Sequence, residues 1–234
     1  MKPIPIFIGY DPREAIAYHT CVNSIVRHAS NPVAIIPLAL NLFSEYKETH
    51  ADSSNDFIYT RFLVPYLMEY QGWAIFIDGD MIVRSDITEI CNFQNNHQAV
   101  VVVKHDYKTS KPVKYLGYPN ENYPRKNWSS VVLWNCQHPD NSILTPDLIQ
   151  NSTGSYLHRF SWLNDNKIGE LPKEWNWLPD EYGANLEAKL LHYTLGTPCF
   201  ENFANSPQAN EWHHERILTE YCQQILPYQV TSDK

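Results

Sequence analysis

The sequence predicts an α/β fold with a mixed, mostly parallel central sheet flanked by helices, and three observations carry that reading. Short unbroken apolar runs recur at residues 4–8, 33–40, 75–77 and 99–103, the pattern of strands covered on both faces. The first run passes straight into a segment of helical periodicity, the usual opening of a nucleotide-binding α/β domain. The run at 75–77 stops abruptly at Asp78-Gly79-Asp80, so it delivers two carboxylates to one strand end, where ligands of open α/β sheets collect.

Taken in order, residues 4–8 form the first strand and Gly9-Tyr10-Asp11-Pro12-Arg13-Glu14 turns it into a helix. Asp11 suits the N-cap, Pro12 the first helical position and Glu14 the capping-box position. Ala15, Tyr18, Val22, Ile25, Val26 and Ala29 supply the apolar stripe until Asn31-Pro32. Tyr10 has the shape to stack on a base, and Arg13 at a helix start can meet a phosphate. Residues 33–40 form a second strand, and the polar loop to Asn55 has the length of a binding element. Residues 57–70 resume helical spacing, with Phe62, Leu63, Tyr66 and Leu67 facing inward, Pro65 as a kink, and Arg61 placed to pair with a site carboxylate or a phosphate.

Asp78-Gly79-Asp80 admits two readings. Apolar arms on either side suit a tight Asp-Gly hairpin. Alternatively, side chains at i and i+2 of an extended segment point the same way, and two adjacent carboxylates repel unless a proton or a cation sits between them. Oxygen-rich pairs of that kind suit Mn²⁺ or Mg²⁺.

Beyond it, Ser85-Asp86 opens a capped helix, residues 99–103 form a buried strand, and Lys104-His105-Asp106-Tyr107 follow at the same sheet edge, making His105 and Asp106 secondary candidates for donor binding. The Tyr- and Pro-rich stretch to Lys126 is suited to cover a pocket. Ser129 and Ser130, small hydroxyls before a buried strand, can bond sugar hydroxyls. Thr145-Pro146 opens a short helix, residues 155–163 carry His158-Arg159 on another, and residues 174–178 read as exposed aromatics. Residues 189–194 approach as an apolar strand containing His192, which by itself reads as a core histidine. Residues 207–226 form a polar C-terminal helix whose His213-His214-Glu215 lie at the surface.

Composition bounds the function. The 234 residues carry no linker, repeat or low-complexity tract, so one domain over 1–234 is expected. A formal charge of −8 argues against a nucleic-acid polymer, because phosphate backbones demand a dense basic surface. Seven Trp and fifteen Tyr supply the flat amphipathic rings that line sugar and base pockets. The N-terminal residues lack the apolar core of a secretory leader, no membrane span follows, and the five cysteines show neither disulfide framework nor metal spacing. A cytoplasmic location is expected.

With Asp78-Gly79-Asp80 and Leu191-His192-Tyr193-Thr194-Leu195-Gly196 both in view, the chain resembles the GT-A glycosyltransferases of the glycogenin-like family eight. The resemblance implies a single Rossmann-like GT-A domain, with residues 1–103 as the nucleotide- and metal-binding part and 104–234 as the acceptor side. It implies a metal site of Asp78, Asp80 and His192 for Mn²⁺, or Mg²⁺, and a nucleoside-diphosphate sugar donor, UDP-sugar first. It further implies transfer to a carbohydrate or other hydroxyl acceptor, with retention. By the same resemblance Gly9, Tyr10, Asp11, Arg61, Ser129 and Ser130 contact the donor, and Arg13 at the helix start and Gly79 between the carboxylates are donor-binding candidates from their own positions. His158-Arg159 stand where the family places acidic and glutamine residues beside the transferred sugar, making His158 a candidate catalytic group. Thr197-Pro198-Cys199 replace the family's Lys-Pro-Trp. The competing expectations are a sugar nucleotidyltransferase, for which the basic glycine-rich loop is missing, and a non-catalytic carbohydrate-binding protein on the same fold.

Overall fold

A computed structural model describes residues 2–50, 55–114 and 117–220. In chain order the regular elements are β1 (Ile4–Gly9), α1 (Ala15–His28), β2 (Val33–Leu38), α2 (Val64–Leu67), β3 (Trp73–Ile77), β4 (Met81–Val83), β5 (Val100–Val102) and β6 (Val131–Asn135). They continue with α3 (Pro146–Asn151), α4 (Gly154–His158), β7 (Ile168–Glu170), α5 (Pro179–Tyr182), β8 (Leu190–His192) and α6 (Ala209–Glu220). Among the described residues no helix is long and apolar enough to cross a membrane.

Six strands form one sheet in the order β2-β1-β3-β6-β5-β7. The β1–β2, β1–β3 and β5–β7 pairs are parallel, while β6 runs antiparallel to both neighbours. The expected mixed, mostly parallel sheet is therefore present. Its inner strands are buried on both faces: Phe7, Phe76, Val132 and Trp134 look into one apolar layer, and Ile6, Ile8, Ile75, Ile77, Val131 and Leu133 into the other. That double coverage is why the strands read as continuous apolar runs.

The Asp-Gly hairpin does not form. β3 pairs with β1 and β6, whereas β4 leaves the large sheet and pairs antiparallel with β8, Met81 opposite His192. This register sets His192 one position beyond Asp80, and Tyr193 N donates to the Asp80 carbonyl at 3.1 Å. Gly79 lies against the β1 end, where a Cβ would come within 2.3 Å of the Gly9 carbonyl oxygen. Only a glycine lets the strand end approach that closely.

Several local expectations are corrected. On α1 the buried face is Ala17, Tyr18, Cys21, Ser24 and Ile25, and Val26 is 59% exposed. Ser24 faces inward because its hydroxyl accepts from Val83 N of β4, at 2.9 Å. Residues 57–70 form a 3-10 turn, Thr60–Leu63, followed by the short α2, with Pro65 in its first turn where a missing N–H costs nothing. Left-handed Glu69 and Tyr70 then end the segment. Trp175 is buried, not exposed. Glu215 is also buried, held by Arg27 at 2.5 Å and Asn23 at 3.1 Å from α1. The expected helix extension past residue 220, and Cys222, lie outside the described residues.

Candidate cation and donor site

Asp78 and Asp80 stand at the C-terminal end of β3, on the floor of a cavity of about 560 Å³. Arg61, Lys114, Ser129, Ser130, His158 and His192 also line it, and Tyr118, Pro119 and Tyr123 of the Tyr- and Pro-rich stretch form part of its wall. Asp78, Asp80 and His192 each offer a ligand atom, all within 4.8 Å of one another. His192 Nε2 lies 3.3 Å from Asp80 Oδ1 and 3.7 Å from Asp78 Oδ2.

The ring of His192 is oriented from behind. Its Nδ1 is 2.9 Å from Asn176 Oδ1, while Asn176 Nδ2 donates to Ser130 Oγ at 2.8 Å, and Ser130 Oγ donates to the Asn127 carbonyl at 2.7 Å. With Nδ1 engaged by Asn176, Nε2 faces two carboxylates. Asp80 Oδ1 is buried without a hydrogen-bond partner. Converging lone pairs on two carboxylates and an imidazole are what a divalent cation would satisfy, so the residues present fit one.

Arg61 is the buried counter-charge of the site. It lies 2.9 Å from Asp78 Oδ1, donates to the Ser129 carbonyl at 3.0 Å, and spreads its guanidinium over Phe57 and Phe76. Burial nevertheless raises Asp78 to about 6, since desolvation outweighs the arginine. Ser129 Oγ is spent on His158 Nδ1, at 2.8 Å. His158 is buried deeply enough to hold its pKa well below the usual imidazole value, and its Nε2 has no hydrogen-bond partner. It is a neutral ring at physiological pH.

The opening turn is organised around Asp11. Gly9, Tyr10, Asp11 and Arg13 do not line the cavity. Asp11 caps the turn by accepting from Arg13 N, at 2.9 Å, and its carboxylate also binds the Arg13 guanidinium and accepts from Asp56 N. Tyr10 packs edge-on against Tyr18. His105 is also outside the cavity, held by Tyr182 Oη at 2.9 Å and pushed down to about 3 by burial, and Asp106 is exposed.

Glu14 returns no bond to the cap. Its buried carboxyl accepts from Thr197 Oγ1 at 2.9 Å, and burial, then Asp80, raise it to about 8. The folded protein thus holds this proton more tightly than the unfolded chain. The associated stability is complete below the unfolded value of 4.5 and is lost as pH climbs through about 8. Asp78 acts in the same direction up to about 6. In chelator, the wild-type melting temperature should fall relative to Glu14→Gln by roughly 5 °C between pH 5 and 8.5, a difference thermal melts at stepped pH would read. Parallel profiles for the two proteins would show that Glu14 does not titrate in this window.

Asn176 was not visible as a site residue in the sequence, because an asparagine between two tryptophans carries no spacing signal. Lys114 was legible only as part of a basic stretch.

No family model matches the chain. Protein CDI of Arabidopsis thaliana is 40% identical over 223 residues, spanning 92% of this chain and 86% of that protein. Among solved structures, glycosyltransferase GlyE of Streptococcus pneumoniae TIGR4 superposes with a TM-score of 0.63 at 16% identity, over 93% of this chain and 61% of its own. The bifunctional glycosyltransferase WbbM gives 0.59 at 18%, over 92% and 52%. The chain therefore spans between half and two thirds of those two proteins. The galactosyltransferase LgtC, solved with donor and acceptor sugar analogues, gives 0.52 at 11% identity over 94% of this chain and 98% of its own. At these identities the likeness establishes the fold, which is of the GT-A type.

Proposed function

Because the chain belongs to the family of Protein CDI of Arabidopsis thaliana and sets a carboxylate–imidazole cluster at a strand end of a GT-A fold, we propose that it is a divalent-cation-dependent glycosyltransferase. The donor is a nucleoside-diphosphate sugar, with UDP-sugars the first to test, and the acceptor is a carbohydrate or other hydroxyl compound. The observation that carries this reading is the convergence of Asp78, Asp80 and His192 on one cavity that also holds a buried arginine and a neutral histidine. Glycosyltransferase structures with the same fold support it.

In transfer, the anomeric carbon's bond to the diphosphate breaks, its electron pair stays on the diphosphate, and the acceptor oxygen bonds the carbon as its proton leaves. Asp78, Asp80 and His192 would hold a divalent cation, which when bound would supply charge to stabilise the departing diphosphate. The imidazole ligand favours Mn²⁺ over Mg²⁺, which prefers oxygen ligands and its own waters. Arg61 keeps Asp78 oriented, and His158, uncharged, offers Nε2 to a sugar hydroxyl without competing for the phosphates. The cavity draws its wall from both sides of residue 103, which supports reading 1–234 as one working unit. A reducing, cytoplasmic setting is part of the same proposal.

Incubation with a panel of nucleotide sugars and Mn²⁺, followed by analysis of both products, tests the proposal. Release of nucleoside diphosphate with sugar on an acceptor, abolished by chelator, is the expected result. Pyrophosphate released from a nucleoside triphosphate and a sugar phosphate would identify a nucleotidyltransferase instead. Sugar binding indifferent to cation and nucleotide would mark a carbohydrate-binding protein.

A further inference from the structure

The side chain of Asn176 is fully buried and reaches both sides of the site. Which of its ends faces His192 is decided by the atoms around it. The Asn127 carbonyl can only accept, and it lies 2.7 Å from Ser130 Oγ and 3.4 Å from Asn176 Nδ2. Ser130 therefore spends its proton on Asn127 and accepts from Asn176 Nδ2. Reversing the amide would press Asn176 Oδ1 toward that carbonyl and leave Ser130 with one proton for two acceptors. The amide oxygen consequently faces the ring, and His192 must donate Nδ1–H to it.

We propose that Asn176 is a positioning residue of the cation site, fixing His192 with its proton on Nδ1 so that a bare Nε2 is presented between Asp78 and Asp80. This rests on the cation reading of those three residues. Metal-binding histidines generally depend on such a partner behind the ring, and losing it typically weakens affinity by ten- to a hundredfold. Here the partner is an amide rather than a carboxylate, so the ring is oriented without adding another acidic group to a cluster already containing Asp78, Asp80 and the buried Glu14. The same network ties the strand entry at Ser130 to β8, so the two walls of the cavity are held in register through one side chain.

The test separates ring state from cation binding. In the metal-free, ¹⁵N-histidine-labelled protein at pH 8.5, two-bond ¹H–¹⁵N correlations should show His192 protonated on Nδ1 and bare on Nε2. Asn176→Leu, of similar volume but without an acceptor, should shift the ring toward the other tautomer and weaken Mn²⁺ binding at least tenfold by calorimetry. Asn176→Asp, which keeps an acceptor behind Nδ1, should retain the tautomer. A wild-type ring protonated on Nε2 overturns the proposal without any variant, as does an Asn176→Leu protein with unchanged ring state and unchanged Mn²⁺ affinity. A wild-type protein with the expected ring state that binds no divalent cation overturns the functional reading and the positioning role with it.

Discussion

Asp80→Ala should reduce sugar transfer by about a thousandfold or more while leaving the metal-free protein as stable as the wild type. The loss follows from removing one of three ligands where the charge of a departing diphosphate has to be balanced. The retained stability follows from what Asp80 touches. Its Oδ1 has no hydrogen-bond partner, the His192 Nε2 it faces at 3.3 Å carries no proton in the ring state proposed above, and its charge helps push Glu14 up to about 8. In metal-free protein Asp80 contributes repulsion, so its removal should leave the melting temperature unchanged or slightly higher. Kinetics at saturating donor, paired with melts in chelator, would check both halves. A variant that loses activity only because it unfolds would contradict this account of Asp80.

Arg61→Leu should act in the opposite way, costing about 3 kcal/mol of folding stability, within the range for breaking one side of a buried ion pair. The guanidinium is surrounded by Asp78, the Ser129 carbonyl and two aromatic rings, and a leucine replaces only the apolar part of those contacts. Asp78 would then be buried beside Asp80 without its counter-charge and would take up a proton at higher pH than it does now. Cation affinity at neutral pH should fall in consequence. Adding Asp78→Asn to Arg61→Leu should recover part of the stability and none of the cation binding. Urea unfolding of the single and double variants would measure the recovery, and additive losses would mean that the two residues are not coupled.

What the sequence disclosed, and what it withheld, follows from how local each signal is. The strand end at Asp78 was legible because an apolar run cut short by carboxylates is contained within six residues. His192 alone reads as a core histidine, since nothing near it reveals that β8 leaves the order of the chain to pair with β4. Only its place in a late motif resembling that of known sugar transferases drew it to the metal. The opening turn was legible as a cap, whereas the pairing of Asp11 with Arg13 was not, because it depends on how the two side chains fold back on one another. Val26 failed as a core residue for a similar reason: helical spacing sees an apolar stripe, whereas the fold turns Ser24 inward to bond β4. Asn176 lies beyond any such reading, as its role exists only in the spacing between Ser130 and His192.

Under the proposed function, Asp78, Asp80 and His192 bind a nucleoside diphosphate through a shared divalent cation. Calorimetric titration of UDP, or another nucleoside diphosphate selected by the donor panel, into the wild-type protein with Mn²⁺ and again in chelator would measure that binding. Binding present with Mn²⁺, lost in chelator, and absent from Asp80→Ala in both conditions is the predicted result. Equal affinity with and without the cation, or binding retained by Asp80→Ala, would contradict it.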